Sequence, residues 1–255
     1  MTDLRVDGGL AVLTIDAGPL NLFTLELHDE LRAAIDGLAP DTRALLIRAE
    51  GKVVSGGVDV ALFDAQDGPD DAKGLFDRLL ELPDSIAALE FPSVFAAHAL
   101  CLTWAFEVAL ACDVILAAES AAFGLVERVV GLTPAMGGTQ RLAARAGAGR
   151  AKELVMTGAR YPAATLERWN VVNRVLPDAT FDDDARAFAK DLADGPTRAH
   201  AATKQVLRHF ERGGVDEANR HVSTIAADLY RTEDTRRAVR SFLADGPGNA
   251  TFTGR

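Results

Sequence analysis

Lysine is scarce in this chain: only five of its 27 basic residues are lysine, the rest arginine. Cysteine, tryptophan and tyrosine occur twice each in 255 residues. Acidic residues outnumber basic ones, 37 to 27, for a net charge of −10. That balance excludes the broad basic footprint of a nucleic-acid-binding protein, so an anionic ligand would need a local basic patch. Cys101 and Cys112 lie in apolar segments at no metal-binding spacing and are predicted to be buried, reduced thiols. The histidines, His28, His98, His200, His209 and His221, form no HExxH helix or other ligand pattern, so no metal centre is predicted. Glu107, Asp113 and Glu119 interrupt the longest apolar runs before any reaches the roughly 18 residues of a membrane span. No basic stretch leads into an apolar core at the start, which points to the cytoplasm. A GxSxG elbow and a GxxxxGK phosphate loop are also missing, and Gly147-Ala148-Gly149 lacks the third glycine of a dinucleotide fingerprint.

What is present suits a folded protein with a sizeable core: 48% apolar and 25% charged residues. The first half alternates strand and helix signals. Leu10 to Ile15 and Ala44 to Arg48 read as strands, with an amphipathic helix over Thr24 to Leu38 between them. A Gly-rich turn at Ser55-Gly56-Gly57 leads into a short helix near Asp59. Asp70 to Leu89 reads as a helix broken at Pro83. Strands over Pro92 to Ala97 and Asp113 to Ala117 flank a helix from Thr103 to Leu110. Such units imply an α/β core. After a strand signal at Val171 to Val175 the texture is helical, over Phe181 to Ala193, Pro196 to Arg212, Val215 to Leu229 and Thr235 to Leu243. Asp182-Asp183-Asp184 suits the positive end of the first of these helices. The expected division is a core of residues 1–195 and a helical subdomain of residues 196–255.

Two glutamates stand out, Glu107 in the run Leu102 to Cys112 and Glu127 after Ala122-Phe123-Gly124-Leu125-Val126. A carboxylate in apolar surroundings is costly to bury ionised. One such residue alone is more often an ion-pair partner than a catalyst; two together suggest a pair that holds and moves protons.

Three segments set the context. They are Gly51 to Val60, with its Ser55-Gly56-Gly57-Val58-Asp59 turn; Ala96 to Glu107; and Phe123 to Leu142, ending Gly137-Gly138-Thr139-Gln140-Arg141-Leu142. In this order, and over essentially the whole chain, they resemble the enoyl-CoA hydratase (crotonase) family. The resemblance implies a crotonase-like spiral of repeated ββα units with a C-terminal helical subdomain used in trimerisation. It implies an oxyanion hole from the backbone N–H groups of Val58 and Trp104, and a thioester site formed by Ser55, Gly56, Val58, Asp59 and Trp104. Glu107 would activate a water and Glu127 would exchange a proton at the α-carbon. The implied reaction is hydration of a trans-2-enoyl-CoA, with isomerisation, other acyl-CoA lyase chemistry or non-catalytic CoA-ester binding as alternatives. No cofactor is implied, since CoA arrives with the substrate; the assembly would be a homotrimer or a dimer of trimers. The chain departs from the family pattern at His98-Ala99, where Asn-Gly is usual, and at Thr103-Trp104-Ala105, where small residues, mostly Gly, are usual. It also carries Asn249 near the usual place of a CoA-binding lysine, leaving Lys52 and Arg231, Arg236, Arg237 and Arg240 as candidate phosphate partners.

Overall fold

The computed structural model describes residues 1–255. The chain opens with an antiparallel pair, β1 (Thr2–Asp7) and β2 (Leu10–Ile15), followed by α1 (Leu25–Asp36) and β3 (Ala44–Ala49). Next come α2 (Ala61–Asp64), α3 (Pro69–Ala88), β4 (Ser93–Ala97), β5 (Cys101–Leu102) and α4 (Trp104–Ala111). The middle holds β6 (Val114–Ala118), β7 (Ala122–Gly124), a 3₁₀ turn over Glu127–Val130, α5 (Gly138–Thr157), β8 (Tyr161–Pro162), α6 (Ala163–Arg168) and β9 (Arg174–Leu176). The last quarter is helical: α7 (Phe181–Asp194), α8 (Thr197–Asp228) and α9 (Glu233–Asp245).

A six-stranded sheet runs in the order β1-β2-β3-β4-β6-β9, parallel except at the β1 edge. Strands β2, β3, β4 and β6 are buried almost without interruption, as expected of a parallel sheet covered on both faces. Helix α7 lies across β2, β3, β4 and β6, while α1, α3, α4 and α5 pack in succession against one another. A second, three-stranded sheet, β5-β7-β8, carries the start of α4. Its strands are two or three residues long, too short to show a pattern in the sequence. The expected α/β spiral is present, and no helix is long and apolar enough to cross a membrane.

Two local expectations change. Helix α3 continues through Pro83, because Leu79, Leu82, Pro83 and Ile86 are buried along one face and hold the helix past the missing N–H. The helices expected on either side of Arg212 are the two halves of α8, interrupted at Gly213 and Gly214. Cys101 and Cys112 are free and buried.

Candidate active site

Helix α4, Trp-Ala-Phe-Glu-Val-Ala-Leu-Ala, is buried at every residue. Glu107 is therefore a carboxyl group inside an apolar helix, 3% exposed. Two backbone donors meet it. The N–H groups of Met136 and Gly138 both bond to Oε2 at 2.8 Å, and Oε1 accepts nothing from the protein. Gly138 opens α5, so the carboxylate also sits at the positive end of a helix. Burial, and next the charge of Glu127, raise the Glu107 carboxyl from 4.5 to about 8 against the pull of those two amides. Glu127, at the head of the 3₁₀ turn, has both carboxylate oxygens buried and without a partner. Burial pushes it from 4.5 to about 7. Two carboxyls placed this way titrate as a pair near neutrality, the range in which one can give a proton while the other takes one.

Main-chain donors converge from two turns. At the first, Ser55 is fully buried; its Oγ accepts from the Gly57 N–H at 3.0 Å, so the side chain shapes the turn from inside. Gly57 has φ +123°, open to glycine and strained for other residues. The Phe23 N–H bonds to Gly57 O, and the Asp59 N–H to Phe23 O. Between those two bonds the Val58 N–H donates to nothing in the protein. At the second turn α4 begins at Trp104, whose N–H is likewise free of any protein acceptor. The turns touch: a β-carbon on Gly57 would lie 3.7 Å from Thr103 Oγ1. The residues preceding Val58 and Trp104 are thus in contact, which brings two unengaged amides into one neighbourhood, as an oxyanion hole requires.

The indole of Trp104 lies in the core. It is 0% exposed, packs against Phe23 with ring centroids 5.5 Å apart, and donates from Nε1 to Asn21 O at 3.2 Å. It neither displaces the start of α4 nor stands in the solvent-facing part of the site. Asn21 was not singled out by its residue type, yet it joins three segments. Its Nδ2 donates to Glu50 O and Val53 O, and its Oδ1 accepts from the Ala17 N–H. Its φ of +46°, which Asn tolerates better than most residues, fits that role, and only the structure reveals it.

The remaining sequence candidates are engaged as follows. Gly56 donates its N–H to Leu20 O at 2.7 Å and is half-buried. Asp59 is exposed and accepts from the Ala61 N–H at the start of α2. His98 bonds through Nε2 to Gly51 O at 2.9 Å. It lines a separate cleft of about 400 Å³ with Arg48, Glu50 and Asp182, where Arg48 already pairs with both acids. Asn249 bonds to Asp245 O behind α9, and Arg237 holds Asp234 and the tail carbonyl of Thr251. Lys52 is exposed beside the first turn.

Two of the five histidines gather in space where the sequence showed no cluster. Ligand atoms of His209, Glu217 and His221 lie within 4.8 Å of one another, brought together by the break in α8. The two rings stack, with centroids 3.7 Å apart and planes 13° from parallel, so their in-plane lone pairs run side by side. Glu217 also pairs with Arg220. Together the side chains form a hydrogen-bonded and stacked cluster across the break in α8.

A model of the enoyl-CoA hydratase/isomerase family matches residues 5–249. The chain belongs to that family. It is 28% identical over 243 residues to a probable enoyl-CoA hydratase of Bacillus subtilis strain 168, covering 94% of each chain. A carnitinyl-CoA dehydratase of Salmonella enteritidis PT4 is 34% identical over 210 residues, 80% of this chain and 79% of the relative. Among solved structures, an enoyl-CoA hydratase of Geobacillus kaustophilus HTA426 superposes with a TM-score of 0.93 at 26% identity, covering 100% of this chain and 97% of that one. The crotonase fold is thereby established for the enoyl-CoA hydratase/isomerase family member described here.

Proposed function

We propose that this protein is an enoyl-CoA hydratase, adding water across the double bond of a trans-2-enoyl-CoA to give a 3-hydroxyacyl-CoA. The observation that carries the reading is the buried pair Glu107 and Glu127, both with carboxyls raised towards neutrality, beside the unengaged amides of Val58 and Trp104. The thioester oxygen would accept from those two N–H groups. Oε1 of Glu107, left open while Oε2 is held, would take a proton from water as its oxygen bonds to the β-carbon. The π electrons move onto the thioester oxygen, and the resulting enolate is stabilised by the two amides. Glu127, in the state where it and not Glu107 holds the proton of the pair, would then deliver a proton to the α-carbon. The same groups run the reverse dehydration, the direction in which the carnitinyl-CoA dehydratase relative is named.

No metal or redox cofactor enters this scheme. Residues 196–255 would form the assembly surface of a homotrimer or dimer of trimers, and the enzyme would work in the cytoplasm. Retention of both glutamates favours hydration over double-bond isomerisation or other lyase chemistry. Housing of the Trp104 indole in the core removes the reason for a purely binding role. The test follows loss of enoyl absorbance with crotonyl-CoA. Wild type turns over and Glu127→Gln is nearly inactive; equal rates remove the assigned role of Glu127.

A further inference from the structure

Thr103 is the residue before the Trp104 amide, and three features of it are unusual together. Its backbone has φ +49° and ψ −118°, a region that a β-branched residue adopts at a penalty. It stands at the N-cap of α4, yet its side chain accepts no bond from the helix amides, which a capping threonine normally does. Its Oγ1 is buried and has no partner, in a residue only 5% exposed. The backbone around it is satisfied: the Thr103 N–H bonds to Gly124 O at 2.9 Å, and Thr103 O accepts from the Glu107 N–H at 2.9 Å.

The hydroxyl has a definite neighbour. Oγ1 lies 3.7 Å, and Cγ2 4.0 Å, from where a β-carbon on Gly57 would stand. Gly57 O is engaged with the Phe23 N–H, and Gly57 N with Ser55 Oγ. The Thr103 hydroxyl therefore lies against the peptide leading into the Val58 amide, on the residue leading into the Trp104 amide, with its hydrogen uncommitted. A buried hydroxyl without a partner costs free energy and calls for an explanation; Thr42 and Thr139 share that state, but only the Thr103 hydroxyl stands between the two unengaged amides.

We infer that the Thr103 hydroxyl is a third hydrogen-bond donor to the carbonyl oxygen of the bound thioester, beside the two main-chain amides. The inference rests on the reading of the site as a CoA-thioester site. A side-chain donor also carries a methyl group into the hole, so Thr103 fixes both the polarisation and the orientation of the carbonyl.

The variants are Thr103→Val, which keeps the shape and removes the donor, Thr103→Ser, which keeps the donor, and Thr103→Gly, which removes the donor and the backbone penalty together. Two readouts are taken after a thermal melt confirms folding: kcat and KM with crotonyl-CoA, and the red shift of a chromophoric 2,4-dienoyl-CoA on binding, which reports polarisation of its carbonyl. Loss of one donor to an oxyanion costs roughly 10² in kcat. Thr103→Val and Thr103→Gly should each fall by about that factor with KM little changed and with a smaller red shift, whereas Thr103→Ser stays within a few-fold of wild type. Wild-type turnover and shift in Thr103→Val would overturn the inference. So would full activity in Thr103→Gly, which would make the side chain an obstacle and not a donor. Should wild type turn over no enoyl-CoA, the proposed reaction fails, but the spectrum still decides. A shift lost in Thr103→Val and kept in Thr103→Ser upholds the donor, and no shift in wild type overturns it.

Discussion

Gly138 presses so closely on Glu107 that a β-carbon there would stand 2.8 Å from Glu107 Cγ and 2.9 Å from Oε2. The glycine approaches the carboxylate with its own N–H, a contact that any side chain would block. Gly138→Ala should displace the Glu107 carboxyl, lowering kcat by about 10²-fold or more through the lost acid–base group. Overpacking should also destabilise the fold by about 1–3 kcal/mol. Paired urea melts and crotonyl-CoA turnover check both halves of the expectation.

In the proposed reaction the two glutamates would act on one substrate, so their losses should not add. Glu107→Gln and Glu127→Gln should each lose roughly 10²–10⁴ in kcat. The double variant should be little worse than the poorer single one, as for other residues that work as a unit. A double variant whose deficit equals the product of the two would show independent roles.

Raised carboxyls also shape stability against pH. The Glu107 carboxyl moves from an ordinary 4.5 to about 8 in the folded protein. Between those values the folded state holds a proton that the unfolded state has released. Stability contributed by this group is therefore full below about 4.5, declines as pH rises and is lost above about 8. Glu107→Gln removes the titration, so its melting temperature should gain on wild type as pH is raised. The accompanying gain in unfolding free energy, on the order of 5 kcal/mol at most, is read from denaturant melts at acidic and alkaline pH. Turnover should peak near neutrality, where the pair holds a single proton, and fall on both sides.

Trp104 leaves its backbone N–H free for the proposed chemistry and contributes packing through its ring. Trp104→Phe keeps the amide and most of the contact with Phe23, and loses the bond to Asn21 O. Turnover within a few-fold of wild type is expected, with about 1 kcal/mol less stability. Trp104→Ala should cost about 3–5 kcal/mol through the cavity it leaves. Circular-dichroism melts beside the turnover assay separate the two effects.

Much of this was legible in the sequence, for identifiable reasons. Strands β2, β3, β4 and β6 are unbroken apolar runs because a covered parallel sheet buries both faces. Glu107 was conspicuous because its helix is apolar all round. Strand β1 was missed because it is an exposed edge with little apolar pattern. Pro83 was misread because local rules for proline carry no information about the core against which its helix packs. The partners of Glu107 were hidden too, since Met136 and Gly138 contribute amides that every residue but proline owns. Thr103 read as the first residue of a helix; its backbone angles and unpartnered hydroxyl became visible only in the structure.

The wide, flat side chain beneath the start of α4 bears on how relatives of this enzyme are recognised. Because the free amide at the start of α4 belongs to the backbone and the indole turns inward to Asn21, a pattern insisting on glycines at this place would discard a chain that keeps the same main-chain donor. Sequences with bulky residues here merit assay when an asparagine carbonyl and an aromatic neighbour stand ready to receive them.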